Sequence, residues 1–82
     1  MRKLVLPIEI EQLEDGRFLA VCDAIQGCLA EGDSVGDALD NIEDAARVLL
    51  ELRQEDGLPL PDGLEDFASS PIKAQVVVSV PE

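Results

Sequence analysis

The chain of 82 residues contains no histidine, no tryptophan and no tyrosine. Without histidine, acid–base catalysis falls to carboxylates, and a zinc site lacks its usual nitrogen ligand. Its two cysteines, Cys22 and Cys28, are too few for a disulfide framework or a zinc site, and no nearby positive charge lowers a thiol pKa. We therefore expect two buried, reduced thiols and no metal or other cofactor.

Aromatic side chains are almost absent, since Phe18 and Phe67 are the only two. A chain of this length buries roughly 60 to 65% of its unfolded surface around one core, so residues 1–82 are predicted to form a single domain. That core must be thin and aliphatic. A thin core leaves an apolar face that a second copy can cover, which predicts a homo-oligomer, either a dimer or a tetramer.

Basic residues are scarce, because 6 Lys and Arg stand against 18 Asp and Glu, giving a net charge of −12. Nucleic acids and anionic membranes attract proteins mainly through Lys and Arg, so we expect direct binding to neither. An acid excess can simply keep a small protein soluble. It can also steer a basic partner, and charge alone leaves both interpretations open.

No stretch approaches the ~20 apolar residues of a membrane span. The first residues turn polar at Glu9, which is too early for a secretory signal. We therefore expect a soluble, cytoplasmic protein.

Alternating hydrophobicity predicts three strands in the first half of the chain. The first covers residues 3–11, and Pro7 places it at a sheet edge or at a bulge. An Asp-Gly turn at Asp15 and Gly16 leads to a second strand, 17–22, in which Leu19 and Val21 share one face and Phe18, Ala20 and Cys22 share the other. Both faces are therefore predicted to be partly covered. A third strand is predicted for residues 28–31.

A helix is predicted to start at Ser34, because Ser34 and Asp37 have the spacing of a capping box, and to end near Gln54. Its apolar residues form one stripe for packing on the sheet, namely Val35, Ala38, Leu39, Ile42, Ala45, Ala46, Leu49 and Leu52. Glu43 and Arg47 are spaced for an ion pair. The other acids on the outer side are predicted to form a largely uncompensated acidic face, namely Asp37, Asp40, Asp44 and Glu51.

Residues 74–80 are rich in valine, which is typical of an interior strand. Inserted beside the first strand, this segment gives the order β-β-β-α-β, an α+β fold with one main helix on one face of the sheet. We expect no DNA-binding segment after residue 82.

Four carboxylates are candidates for gathering Mg²⁺ for phosphodiester cleavage, namely Asp23, Glu31, Asp33 and Glu43. Acidic residues are so abundant that such a set arises by chance, and an ordinary solvated surface explains most of them. The sequence has no nucleophile with a base partner and no phosphate-binding loop. We therefore expect a binding protein rather than an enzyme, with a metal-dependent nuclease as the alternative.

The stretch from Asp15 to Pro61 carries a distinctive string of residues. It comprises Asp15-Gly16, Phe18, Gly27-Cys28, Gly32-Asp33-Ser34, Asp37-Ala38, Asn41, Ala45 and Asp56-Gly57-Leu58-Pro59-Leu60-Pro61. This combination resembles the HicB family of antitoxins, and the predicted order of elements matches that family's partial RNase H-like core. Gly16, Gly27, Gly32 and Asn41 are interpreted as structural. The chain departs from the family at Asp23, Ala24 and Gln26, where prolines commonly surround an aspartate, and it ends before the DNA-binding segment that many members carry.

The resemblance implies a partner, a small basic HicA-type toxin that cleaves mRNA with a histidine and has a double-stranded-RNA-binding-like fold. An acidic surface would occupy the basic groove where RNA lies. We predict that the contacts lie in the loop 23–26 and on the helix, at Asp23, Gln26, Asp37, Asp40 and Asp44. A regulatory module that binds an unrelated protein is a further alternative.

Overall fold

The computed structural model describes residues 3–67 and 78–81. Its elements, in chain order, are β1 (Leu4–Val5), β2 (Glu9–Gln12), β3 (Phe18–Val21), β4 (Leu29–Gly32), α1 (Val35–Glu55) and β5 (Glu65–Asp66). Strands β2, β3 and β4 form an antiparallel sheet in sequence order, and β1 pairs separately with β5. The helix packs on one face of the three-stranded sheet, which confirms the predicted α+β class.

Pro7 divides the first predicted strand in two. The prediction of one strand over residues 3–11 was wrong, because β1 and β2 belong to different sheets and residues 6–8 separate them. Proline has no N–H to donate to a ladder, so pairing stops where it stands. Strand β2 is an edge strand of its sheet in the described part of the chain, as predicted, and β1 instead pairs antiparallel with β5.

Two hairpins set the register of the three-stranded sheet. In the first, Gly16 adopts a φ of 91° and donates its N–H to the Leu13 carbonyl at 2.9 Å. In the second, the pairing of Val21 with Leu29 continues to the next residues, where the Cys22 N–H donates to the Cys28 carbonyl at 3.0 Å. The two cysteines therefore lie opposite each other at the end of the β3–β4 ladder.

The ends of α1 agree with the sequence prediction. The Ser34 side chain accepts a hydrogen bond from the Asp37 N–H at 3.0 Å, which caps the first turn. At the other end Gly57 has a φ of 72°, and the Leu58 N–H donates to the Arg53 carbonyl at 2.8 Å. This is a Schellman motif, in which glycine supplies the left-handed residue that ends the helix.

Small side chains bring the helix close to the sheet. The buried core is composed of Ala20, Cys22, Ile25, Cys28, Ala38, Ile42 and Ala46. Where β4 meets the start of α1, a Cβ on Gly32 would overlap the backbone nitrogen of Ala38 and lie 2.7 Å from the backbone carbon of Asp37. Gly32 is therefore structural, as predicted, because only a hydrogen fits between strand and helix at this point.

The apolar stripe of the helix is only partly buried, contrary to the prediction of a single buried stripe. Ala38, Ile42 and Ala46 are buried, whereas the stripe also includes the exposed residues Val35, Leu39 and Leu52. Leu39 lies between the buried Ala38 and Ile42 but about 100° around the helix from Ala38, at the edge of the stripe. Leu52 lies in the last part of α1, whose 21 residues span about 31 Å against about 13 Å for four-residue strands.

The predicted final strand falls largely outside the described residues. This applies to residues 74–77, while residues 78–80 are described and form no strand. Val78 and Val80 are exposed. The insertion of this segment beside the first strand stays a prediction.

Candidate functional site

The Arg17 side chain forms ion pairs with two carboxylates, one in β4 and one directly after it. Its Nε donates to Asp33 Oδ1 at 3.2 Å, and its Nη1 donates to Glu31 Oε2 at 3.3 Å. Asp33 and Glu31 are two of the four carboxylates that were candidates for binding Mg²⁺, and both are hydrogen-bonded to the Arg17 guanidinium instead. Among the described residues, no group of three or more cysteine, aspartate or glutamate side chains is placed to hold a metal ion.

The other two arginines of the described region are also held within the fold. Arg47 donates to Glu43 Oε1 and to Asp44 Oδ1, each at 3.1 Å. Arg53 donates through Nε and Nη2 to the Pro59 carbonyl at 3.1 and 2.8 Å. The three described arginines therefore make contacts within the fold, while most of the described acidic side chains are exposed to solvent.

Arg47 gives a counter-charge to Asp44, one acid of the face that was predicted to be largely uncompensated. Asp44 lies three residues before Arg47 and Glu43 lies four before it, and both spacings place a side chain within reach on a helix. One guanidinium therefore contacts both carboxylates. Asp37 and Asp40 are exposed and make no ion pair with any described residue.

The loop between β3 and β4 presents two of the predicted contact residues. Asp23 and Gln26 are exposed, whereas Ile25 between them is buried in the core. The Ile25 N–H donates to the Cys22 carbonyl at 3.2 Å, and the Cys28 N–H donates to the Ile25 carbonyl at 3.1 Å. Sequence reasoning missed Ile25 as a core residue, although a single branched apolar residue in a polar loop was an available signal.

The five predicted contact residues come from two elements, the loop between β3 and β4 and the helix α1. Asp23 and Gln26 lie in the loop that leads into β4, and Asp37 lies beside Gly32, where β4 ends. Asp40 and Asp44 follow on the solvent side of the helix. Asp37, Asp40 and Asp44 are three and four residues apart along α1, so they share one side of the helix.

The sheet has a second face, turned away from the helix, which we call the outer sheet face. Because side chains alternate along a strand, the residues paired with Leu19 and Val21 share this face. The register places them in two rows across the strands, namely Glu9, Val21 and Leu29 in one and Glu11, Leu19 and Glu31 in the other. A shallow depression of about 190 Å³ lies along it, lined by Glu9, Ile10, Glu11, Leu19 and Val21.

Sequence alternation identified Leu19 and Val21 as residues of this face, but not the acids around them. Leu19 and Val21 are half-buried and Leu29 is 56% exposed. The positions of Glu9, Glu11 and Glu31 depend on the register between strands, which the sequence alone did not provide. The outer sheet face therefore combines exposed apolar surface with carboxylates.

The thiols of Cys22 and Cys28 are buried and free, as predicted. Burial raises the pKa of Cys28 above its ordinary value, and the neighbouring Cys22 raises it further through its charge and a hydrogen bond between the side chains. A thiol held in its neutral form is a poor nucleophile and metal ligand. These cysteines are packing residues of the core.

Fold and surface together define a small acidic α+β domain in which the described arginines are engaged internally. A UPF0150 protein of Synechocystis is 37% identical over 60 residues, which cover 70% of this chain and 83% of that protein. The chain therefore belongs to the UPF0150 family. Within the described residues, no helix has the length and apolar character needed to cross a membrane.

An uncharacterized 14.9 kDa protein from the rep-hol intergenic region of Haemophilus phage HP1 is 29% identical over 79 residues. The match covers 94% of this chain and 59% of the phage protein, so the chain spans less than two thirds of that relative. No protein-family model and no solved structure matches the chain.

Proposed function

We propose that this chain is an antitoxin-like protein that binds and occludes a small, basic, mRNA-cleaving toxin of the HicA type. One observation carries the proposal: in an acidic chain of net charge −12, the described arginines pair with internal partners and leave a surplus of exposed carboxylates. Membership of UPF0150, a family related to HicB-like antitoxins, supports it.

Inhibition follows from occupancy and needs no chemistry from this chain. A toxin that binds RNA presents a groove of Lys and Arg side chains that attract phosphates. The exposed carboxylates of this chain can pair with the same Lys and Arg side chains. Complementary charge accelerates the encounter and disfavours like-charged competitors. Once bound, the domain keeps the catalytic side chain of the toxin away from RNA.

The predicted contact residues have unequal roles in this proposal. Asp37 and Asp40 are exposed without an ion pair among the described residues, so they meet a basic partner directly. Asp44 must first exchange its contact with Arg47. Asp23 and Gln26 supply a second contact from the loop between β3 and β4.

A homo-oligomer is part of the same proposal. Ten large apolar side chains of the described residues are at least 37% exposed, whereas only seven hydrophobic residues of the described part are buried in the core. Exposed apolar surface of this extent can be covered by a second copy of the chain. Light scattering over a dilution series measures the mass of the particle. A monomer at every concentration would remove the oligomer from the proposal and leave the binding function intact.

The test is rescue of a toxic neighbour. A HicA-type toxin is expressed with and without this chain, and growth and mRNA cleavage are measured. We expect the chain to restore growth and to form a stable complex with a toxin whose catalytic histidine is replaced by alanine. Continued toxicity with no complex would refute the proposal.

The nuclease alternative has its own assay, in which the purified chain is incubated with RNA and Mg²⁺. We expect no cleavage. Cleavage that requires Mg²⁺ and disappears in Glu31→Gln or Asp33→Asn would favour the enzyme instead.

A further inference from the structure

The outer sheet face offers an apolar strip with acids on the β2 side. Across the three strands, Val21 and Leu29 follow Glu9, and Leu19 follows Glu11. Strand spacing places adjacent residues of a row about 5 Å apart, and residues two apart on β2 lie about 7 Å from each other. Two carboxylates thus stand beside a patch formed by Leu19, Val21 and Leu29.

The charges of this face are not evenly compensated. Glu31, at the β4 end of its row, is paired with Arg17. Glu9 and Glu11 are exposed and make no ion pair with any residue of the described part. Among the described residues, the uncompensated negative charge of the face is therefore concentrated along β2, next to the apolar patch.

This distribution distinguishes between possible occupants. A second copy packed on the same face by a two-fold axis across the strands would set the acidic β2 edge of one copy against that of the other, which costs free energy by like-charge repulsion. A two-fold axis along the strands would set β2 against β4 and leave Glu9 and Glu11 without a basic partner. A partner with Lys or Arg beside an apolar group satisfies both halves of the face.

We propose that the outer sheet face is the main docking surface for the basic partner. The partner places Lys or Arg side chains over Glu9 and Glu11 and an apolar side chain over Leu19, Val21 and Leu29. This inference rests on the proposed function and places the contact on the sheet, on the side of the domain opposite the helix acids. Apolar anchors inside a charged rim are the usual arrangement of a binding hot spot.

Charge reversal on matched surfaces tests the electrostatic half. The Glu9→Lys/Glu11→Lys variant changes the outer sheet face, and the Glu51→Lys/Glu55→Lys variant makes the same charge change on the solvent side of α1. Binding to the toxin with its catalytic histidine replaced by alanine is measured by titration calorimetry. We expect the sheet variant to weaken binding about 100-fold and the helix variant less than about 5-fold.

Truncation tests the apolar half. Leu29 and Val48 are 56% and 54% exposed, so Leu29→Ala and Val48→Ala remove apolar surface of similar exposure from the sheet and from the helix. We expect about 10-fold weaker binding for Leu29→Ala and no change for Val48→Ala. Far-UV circular dichroism confirms that every variant is folded.

The outcomes separate the two proposals. If the unaltered chain binds no toxin, the proposed function fails. If the unaltered chain binds but both sheet variants bind equally well, the docking surface is wrong and the function stands. Sheet substitutions that change the self-associated mass without toxin, while leaving toxin binding intact, would assign the face to a second copy and overturn the inference.

Discussion

Gly32 is the position where one added methyl group should do most damage. A Cβ there would lie 2.7 and 2.8 Å from the backbone carbon and the Cβ of Asp37, and nearer still to the Ala38 nitrogen. Carbon atoms in contact are ordinarily about 3.5 to 4.0 Å apart, so β4 and the start of α1 must separate by about 1 Å. The Gly32→Ala variant therefore strains the layer contact on which the core depends.

The expected loss of stability in Gly32→Ala is large relative to the total stability of so small a domain. Overpacking alone costs about 1 to 3 kcal/mol, and displacing the helix also loosens the buried residues Ala38 and Ile42. We expect a loss of about 3 kcal/mol, against a total stability of about 4 to 12 kcal/mol for a chain of this length. Gly36 is the control, because its added Cβ would meet only the Ser34 hydroxyl oxygen, at 3.8 Å. Gly36→Ala should stabilise by up to about 1 kcal/mol through helix propensity.

Urea unfolding followed by circular dichroism at 222 nm is the appropriate assay, since the chain has no tryptophan or tyrosine for fluorescence. With a slope of about 1 kcal/mol per molar urea, the midpoint of Gly32→Ala should fall by about 3 M. The Gly36→Ala midpoint should rise. Equal midpoints for Gly32→Ala and the unaltered chain would refute the close approach of β4 and α1.

Three further predictions concern single contacts. Ser34→Ala removes the helix cap and should lower the free energy of unfolding by about 1 kcal/mol in the same urea assay, whereas Ser34→Asp should retain most of it. Asn41→Ala removes the bond from Asn41 Nδ2 to the Glu31 carbonyl, 2.8 Å long, and should cost about 1 kcal/mol; an unchanged midpoint would show that the bond contributes nothing. Folding raises the pKa of the Cys28 thiol above its ordinary value of 9.0, so the folded state holds the proton more tightly than the unfolded state. The neutral thiol therefore contributes its full stabilisation below pH 9.0, and this contribution is lost as pH rises through the pKa of the folded state. Stability should therefore fall above pH 9 more steeply in the unaltered chain than in Cys28→Ala, and parallel profiles would contradict the assignment.

Turns and helix ends could be predicted from the sequence because the residues that form them are close together along the chain. The Asp-Gly turn, the Ser34 cap and the glycine stop at Gly57 each act within a few residues, and the structure confirms all three. Strand β5 has no such signal, because Glu65 and Asp66 disfavour strands and are extended only through pairing with β1. Tertiary contact decides such elements.

The candidate site shows the same division. Exposure of Asp23 and Asp37 follows from polarity, and both are exposed. The sequence does not decide which acid pairs with an arginine, because side chains three and four residues away are both within contact distance on a helix. Arg47 contacts Asp44 as well as Glu43. The acids of the outer sheet face come together only through strand register, which no alternation pattern within one strand reveals.

The two layers of the domain make its acidic surfaces separable in experiment. The outer sheet face and the solvent side of α1 lie on opposite sides of the domain, with the helix, about 10 Å across, and the sheet between them. At physiological ionic strength the screening length is about 8 Å, so a partner on one surface scarcely senses the charges of the other. Salt should therefore weaken binding at either surface, but contact with Leu19, Val21 and Leu29 does not depend on charge. If the sheet is the docking surface, a residual affinity must persist at high salt and must be about 10-fold weaker in Leu29→Ala.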